Sequence, residues 1–321
     1  MKPFATGLGT LLLASTLWAC QAKPDLDEKI ISGTCTDTLY VLGTAQDGGK
    51  PQIGHPEDAA WTDPTQIRAV SSVAVVDKPS GSYLLFDATP DIKFELYALG
   101  KYSGLDDLKL EGVFLTHGHI GHYLGLAQFG REAMGAKGVP VYAMAKMRAF
   151  LEQNGPWDQL IELDNIALQP LEDKKPVRLR GVEVTPFVVP HRGEYTETVG
   201  FRIKGKGKTA VYLPDIDSWE QWQKSGGSLI DLITNNDYVF IDGTFYDGDE
   251  LPGRDMSKIP HPTMVHTMTL LKPLSPAARG KVHFIHLNHT NPANDKNTRA
   301  WQDIDLGGFK IARAGARFCL D

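Results

Sequence analysis

Along residues 35–321, short runs rich in β-branched and aromatic side chains, each bounded by Gly, Pro or Asp, alternate with stretches of helical period. The runs predict strands at 38–42, 69–76, 83–87, 112–116 and 139–143, with helices over 91–99, 122–134 and 144–153. A second series starts with a run over 177–189, broken near Gly181, and continues with strands at 199–203, 209–213 and 238–242. Helices at 219–233 and 262–271 and closing strands at 281–286 and 309–313 complete it. Each half opens on strands and goes on with strand and helix alternating, with a boundary near residue 165 inside one unit. That order predicts an α+β protein whose two mixed sheets pack face to face with helices outside.

The first 34 residues follow another logic. Residues 1–19 carry a single charge, Lys2, and then an apolar run from Phe4 to Ala19, too short and too often interrupted by Gly, Ser and Thr for a transmembrane helix. The run reads as a secretory signal peptide. It ends Leu17-Trp18-Ala19-Cys20, which resembles a bacterial lipobox, where the cysteine is acylated and becomes the new N-terminus. The expected plan is a signal peptide over 1–19, a polar tether over 20–34 and a folded domain over 35–321. It makes the protein an exported lipoprotein on the periplasmic face of a bacterial membrane, anchored through Cys20. Plain secretion and a cytoplasmic chain with a greasy leader are the competing readings. With Cys20 lipidated, Cys35 and Cys319 remain near the two ends of the folded part, as a disulfide or as two free thiols.

Composition narrows the function. At 42% hydrophobic and 22% charged residues, the 321-residue chain is neither disordered, collagenous nor a multispan membrane protein. A formal charge of -6 provides no net positive field for phosphate backbones, so no nucleic-acid partner is expected. Three cysteines without a C-x-x-C pair leave His, Asp and Glu to hold any metal. Three of the ten histidines fall within six residues after an apolar strand, in Leu115-Thr116-His117-Gly118-His119-Ile120-Gly121-His122. On an extended loop His117 and His119 point the same way, and a helix starting near Gly121 turns His122 back toward them. Three imidazoles then converge on one cation.

This segment resembles the metal motif H-x-H-x-D-H of the metallo-β-lactamase superfamily, an αββα four-layer sandwich. The resemblance implies further ligands at His191 in Val188-Val189-Pro190-His191, at Asp215 in Val211-Tyr212-Leu213-Pro214-Asp215, and at His286 in Phe284-Ile285-His286. A closer likeness is to the pyrroloquinoline quinone biosynthesis protein B branch. It is carried by Leu42-Gly43-Thr44-Ala45-Gln46-Asp47-Gly48-Gly49, Ser71-Ser72-Val73-Ala74-Val75, Asp87-Ala88-Thr89-Pro90-Asp91, Asp242-Gly243-Thr244-Phe245 and His286-Leu287-Asn288-His289-Thr290-Asn291-Pro292. That branch's cysteine-rich zinc knot is absent. Gly121 stands where the superfamily motif has an aspartate that binds the second metal. The resemblance then assigns His117, His119 and His191 to a first site and His122 and His286 to a second, with Asp215 shared. Asp242, Asp247 and His289 are the candidates to fill the vacancy, and an aspartate restored at position 121 is expected to raise the metal count toward two.

Three imidazoles and an open position form the catalytic zinc pattern, which activates water for hydrolysis. The expectation is a metallohydrolase of a small ester, lactone, amide or phosphodiester, with one or two zinc ions, or with iron or manganese. Asp215 serves at the reacting centre. His261, in Ile259-Pro260-His261-Pro262-Thr263, resembles the H-S-T histidine of the superfamily's phosphodiesterases and is the expected general acid, with His289 competing. Arg192, Tyr195 and Tyr246 are candidates to hold a substrate anion. Asp87 and Asp91 are expected to serve the fold, the latter as a helix cap, and His266 and His283 to be structural. Two other readings compete: an iron-dependent oxidoreductase related to quinone-cofactor formation, and a non-catalytic metal- or ligand-binding lipoprotein.

Overall fold

Nearly every residue of β1 (Asp37–Gly43), β2 (Ser72–Asp77) and β3 (Ser82–Phe86) is buried. Runs with no polar alternation require cover on both faces, and the fold supplies it. The computed structural model describes residues 35–251 and 253–321; the expected signal peptide, Cys20 and the tether lie outside the described residues. The later strands are β4 (Lys109–Phe114), β5 (Val139–Ala143), β6 (Ile166–Pro170), β7 (Val177–Leu179), β8 (Val182–Val188), β9 (Val199–Lys204), β10 (Thr209–Leu213), β11 (Tyr238–Asp242), β12 (Val282–Ile285), β13 (Lys310–Ile311) and β14 (Arg317–Cys319). Among the described residues they form two seven-stranded sheets, ordered β14-β1-β2-β3-β4-β5-β6 and β13-β12-β11-β10-β9-β8-β7.

The helices are α1 (Ile92–Ser103), α2 (Ile120–Tyr123), α3 (Ala145–Gln153), α4 (Trp157–Glu162), α5 (Trp219–Lys224), α6 (Leu229–Thr234), α7 (Met264–Leu271), α8 (Pro276–Arg279) and α9 (Arg299–Leu306). Between the sheets, Leu39, Val41, Val75, Phe86 and Phe114 meet Val184, Phe201, Ile203, Tyr212 and Phe240. On the outer face of the first sheet, Tyr40, Leu85, Val113 and Val141 pack with Leu99 of α1, Leu151 of α3 and Trp157 of α4. On the outer face of the second, Val211, Val239 and Phe284 pack with Trp219, Ile233, Leu271 and Ile304 of α5, α6, α7 and α9. The layers run helix, sheet, sheet, helix, as the alternation of elements predicts. No helix among the described residues is long and apolar enough to cross a membrane.

Several local expectations change. The helix predicted over 122–134 is only α2, followed by 3-10 turns over Leu124–Phe129. The amide of Gly125 donates to Ala88 O at 2.8 Å, a bond that pulls the chain out of α-helical register. The single helix predicted over 219–233 is two, because Gly226 adopts φ +93°, a left-handed conformation that ends α5. The halves divide between Pro170 and Val177, somewhat beyond residue 165, and β14 returns from the second half to pair with β1. Asp91 precedes α1 without a side-chain capping bond; its Oδ2 instead accepts from the Val70 amide at 3.0 Å.

Strand direction places the chemistry. β3, β4 and β5 are parallel, and β1 points the same way through the antiparallel β2. In the other sheet β10, β11 and β12 are parallel, and β8 agrees with them through the antiparallel β9. The segments that leave the C-terminal ends of β1, β3, β4, β8, β10, β11 and β12 carry Asp47, Asp87, His117, His191, Asp215, Thr244 and His286.

Candidate metal centre

Six of the side chains singled out in the sequence meet where these strand ends converge. His117 Nε2 lies 2.9 Å from His119 Nδ1, and His191 Nε2 lies 3.1 Å from that same nitrogen. Asp215 Oδ2 stands 3.4 Å from Nε2 of both His117 and His191. It is also 3.8 Å from His122 Nε2 and 3.7 Å from His286 Nε2, so one carboxylate oxygen faces two groups of imidazoles. Asp47, absent from the sequence-based ligand set, brings Oδ1 to 3.4 Å from His122 Nε2.

The outer nitrogen of each ring is tied down, and this fixes the tautomers. Thr116 Oγ1 donates to Asp87, so it accepts from His117 Nδ1–H at 3.0 Å. Thr244 Oγ1 donates to Asp242 and in the same way accepts from His286 Nδ1–H at 3.0 Å. His122 Nδ1–H donates to Asp87 at 2.8 Å and His191 Nδ1–H to Asp217 at 2.7 Å. His119 is reversed: Nε2–H donates to Glu194 at 3.2 Å and Nδ1 turns inward. The inward nitrogens of His117, His119 and His191 therefore present lone pairs. Lone pairs 2.9 to 3.4 Å apart repel one another unless a cation lies among them. Four donors at zinc–nitrogen distance from a common centre are spaced about 3.3 Å from each other, so His117, His119, His191 and Asp215 fit such an ion.

Electrostatics agree. Burial pushes the pKa of His117 well below the ordinary imidazole value and lowers those of His119 and His286, leaving neutral rings, the form that binds metal. Burial acts the same way on His122, but Asp87 and Asp47 outweigh it and raise its pKa well above that value. Positive charge is favoured there. Burial alone would raise Asp215 and Asp47. Imidazoles reverse this, holding Asp215 well below the carboxylate range through His286, His191 and His261, and lowering Asp47 through His122.

Backbone strain accompanies the site. Asp87 and His286 sit at φ 64° and 67°, in the left-handed region that costs a non-glycine residue of order 1 kcal/mol or more. Asp87 is repaid by bonds from the Thr116 amide and hydroxyl, His122 and Tyr212. It buttresses the centre through His122 and Thr116.

His261 stands beside the cluster. Its Nδ1–H donates to Asp242 Oδ2 at 2.8 Å and lies 3.4 Å from Asp215 Oδ1. Burial opposes its protonation, but Asp242 and then Asp215 prevail and raise its pKa to about 9. The other expectations separate. His289 packs at a tilt against His55, ring centroids 4.2 Å apart. Asp242 is engaged by His261, Thr244 and the Ile216 amide, and Asp247 accepts from Asp249 N in an exposed turn. Tyr246 donates its hydroxyl to Asp303. Arg192 and Tyr195 are exposed beside His117 and His119, with Glu194 and Thr196, at the mouth of the site. His119, 16% exposed, marks the open side.

A family model described as the beta-lactamase superfamily domain matches residues 82–319, most of the chain. The chain belongs to the metallo-β-lactamase superfamily. Within this superfamily it is similar to coenzyme PQQ synthesis protein B of Xanthomonas axonopodis pv. citri, at 28% identity over 88% of this chain and 99% of that protein. Among solved structures, zinc-bound PqqB from Methylobacterium extorquens superposes with a TM-score of 0.71 at 23% identity, covering 88% of this chain and 99% of that one. A diphosphatase from the PhnP family gives a TM-score of 0.61 at 25% identity, covering 88% and 96%. The chain is thus a PqqB-like member of the superfamily, with a donor set suited to metal binding. Asp47, Asp217 and Glu194 escaped the sequence reading. Asp217 and Glu194 lie two and three residues beyond Asp215 and His191, spacing too common to single them out.

Proposed function

We propose that this protein is a membrane-tethered metallohydrolase that directs a metal-activated water at a small ester, lactone, amide or phosphodiester, with zinc as its metal. The observation that carries the reading is the inward-facing quartet of His117, His119, His191 and Asp215, with His261 held beside it. A bound zinc ion lowers the pKa of water toward about 7 and polarises the bond to be cleaved. The chain's own residues do the rest. Asp217, Thr116 and Glu194 hold the rings in their ligand tautomers. His261, its Nδ1 engaged by Asp242, keeps Nε2 as the nitrogen that hands a proton to the leaving group. The likeness to the PhnP-family diphosphatase supports the phosphodiester among the four classes, and Arg192 at the mouth offers a cation to its charge beside Glu194.

The test is turnover of bis(p-nitrophenyl) phosphate, a lactone, a thioester and an anilide by zinc-loaded protein. His119→Ala is expected to lose metal and activity together. His261→Ala should keep the metal and lose about 10² to 10⁴ in rate. Metal loss in the latter variant refutes the acid role, and no turnover of any substrate by the loaded wild type refutes the hydrolase.

The likeness to PQQ synthesis protein B supports a second reading, an iron-dependent oxidoreductase acting on a quinone precursor, since His/Asp ligation also accommodates iron. Elemental analysis of protein purified without added metal separates the two. The tether is part of the proposal and rests on the lipobox-like Leu17-Trp18-Ala19-Cys20. Cys20→Ser is expected to move the protein from the membrane to the soluble fraction; retention on membranes contradicts the anchor.

A further inference from the structure

Among the buried polar atoms of the centre that make no hydrogen bond are Asp47 Oδ1, His122 Nε2 and His286 Nε2, the first two facing each other at 3.4 Å. Polar atoms buried without a hydrogen bond destabilise a fold unless something else satisfies them. All three face the same small space, ligand atoms within 4.8 Å of one another. Asp215 Oδ2 closes that space from the fourth side, at 3.8 Å from His122 and 3.7 Å from His286.

We infer that Asp47, reaching in from the loop after β1, supplies the carboxylate that Gly121 lacks, so that Asp47, His122, His286 and the shared Asp215 hold a second metal ion. This rests on the reading of the cluster as a metal centre. The carboxylate has changed its place in the chain. A Cβ built on Gly121 would lie 2.2 Å from Asp47 Oδ1 and 2.6 Å from Asp47 Cα, so any side chain at 121 and the present course of the Asp47 loop exclude each other. Glycine at the motif position is what lets Asp47 in. This corrects the expectation for Gly121→Asp: the substitution displaces the loop that carries the donor, even if residue 47 is truncated, because the closest backbone atom is its Cα.

The loop is held to its task by the strand end that bears His286. Gln46 N donates to Leu287 O and Leu287 N to Thr44 O, both at 2.9 Å, and the Asn288 side-chain amide donates to Gln46 Oε1. Gly49 N donates back to Gln46 O at 2.7 Å, closing the turn around Asp47. Two donors from opposite ends of the sequence are therefore fixed to each other before any ion arrives, which is the preorganisation a tight site needs.

The experiment is a zinc count on metal-stripped, reloaded protein, with competition against a chromophoric chelator and the absorption spectrum of the cobalt form. Wild type is expected to hold about two ions per chain, and both Asp47→Ala and its near-isosteric partner Asp47→Asn to hold about one, with the affinity of the remaining site unchanged. Gly121→Ala, which deletes no donor, is expected to lose the same ion by displacing the loop. Melting temperatures of the apo forms show whether each variant folds, and Asp47→Asn carries the test if Asp47→Ala does not. Two ions in a folded Asp47→Asn, or one in the wild type, overturn the inference and leave the proposed function standing. No ion in the wild type overturns both.

Discussion

A histidine binds metal well only when its ring is held still with the correct nitrogen inward, and here that work falls to neighbours that touch no metal. His191 shows it most simply, with its Nδ1–H on Asp217 at 2.7 Å. Asp217→Asn can present an N–H to that nitrogen and so favours the tautomer whose proton points into the site. Zinc affinity of the first site is expected to fall about 10- to 100-fold, read by chelator competition; an unchanged affinity shows that packing alone orients the ring. At this scale the sequence was informative where donors cluster. His117, His119 and His122 lie within six residues and announce themselves. Asp47 does not, because its place beside His122 depends on a close approach to Gly121 across some seventy positions of chain. From sequence alone that glycine reads as a loss. In the fold it is the space another residue uses.

Among the elements, the long buried strands were legible and the short elements were not. Buried runs such as Val73-Ala74-Val75-Val76 and Val211-Tyr212-Leu213 give a strong signal because nothing interrupts them. By contrast α4, β6, α9 and β14 were missed: each is short and draws its stability from packing against layers already formed, so local periodicity carries little of it. Within β12, His283 packs tilted against Phe240 and edge-on to Phe318, with centroids at 5.1 and 5.0 Å, and donates Nδ1–H to Lys281 O. It is structural, as its apolar setting predicts. Burial, helped by the charge of Lys310, lowers its pKa to about 3, against about 6.5 in an unfolded chain. The unfolded state alone takes up the proton between these values. Its share of stability is therefore intact above about pH 6.5 and is lost as the pH falls toward 3, by at most about 1.4 kcal/mol per pH unit. In His283→Leu the drop in urea midpoint between pH 7.5 and pH 5 is expected to be smaller than in wild type; equal drops place the titration elsewhere.

For the whole molecule, the decisive contact is the one that joins its extremes. Cys35 and Cys319, 284 positions apart in the sequence, form a disulfide with Cα atoms 5.8 Å apart, resolving the alternative that the sequence left open. Around it, β14 pairs with β1, and Asp321 accepts from Thr36 and the Asp37 amide. The sequence placed the cysteines near both ends but gave no sign that the last strand returns to the first sheet. Cys35→Ser is expected to cost about 2–5 kcal/mol and to lower the melting temperature, while the metal count stays as in wild type. A variant that melts like wild type shows that the strand pairing alone closes the sheet.

The position of this bridge has a mechanical consequence. It sits just ahead of β1, whereas Asp47 follows the far end of that seven-residue strand, a span of about 20 Å. A pull on the chain ahead of Cys35 would pass through two sulfur atoms into the final strand and be shared between neighbours in the sheet. If the leading end is tethered as proposed, part of any load on it would be shared with the last strand rather than borne by β1 and the Asp47 loop alone.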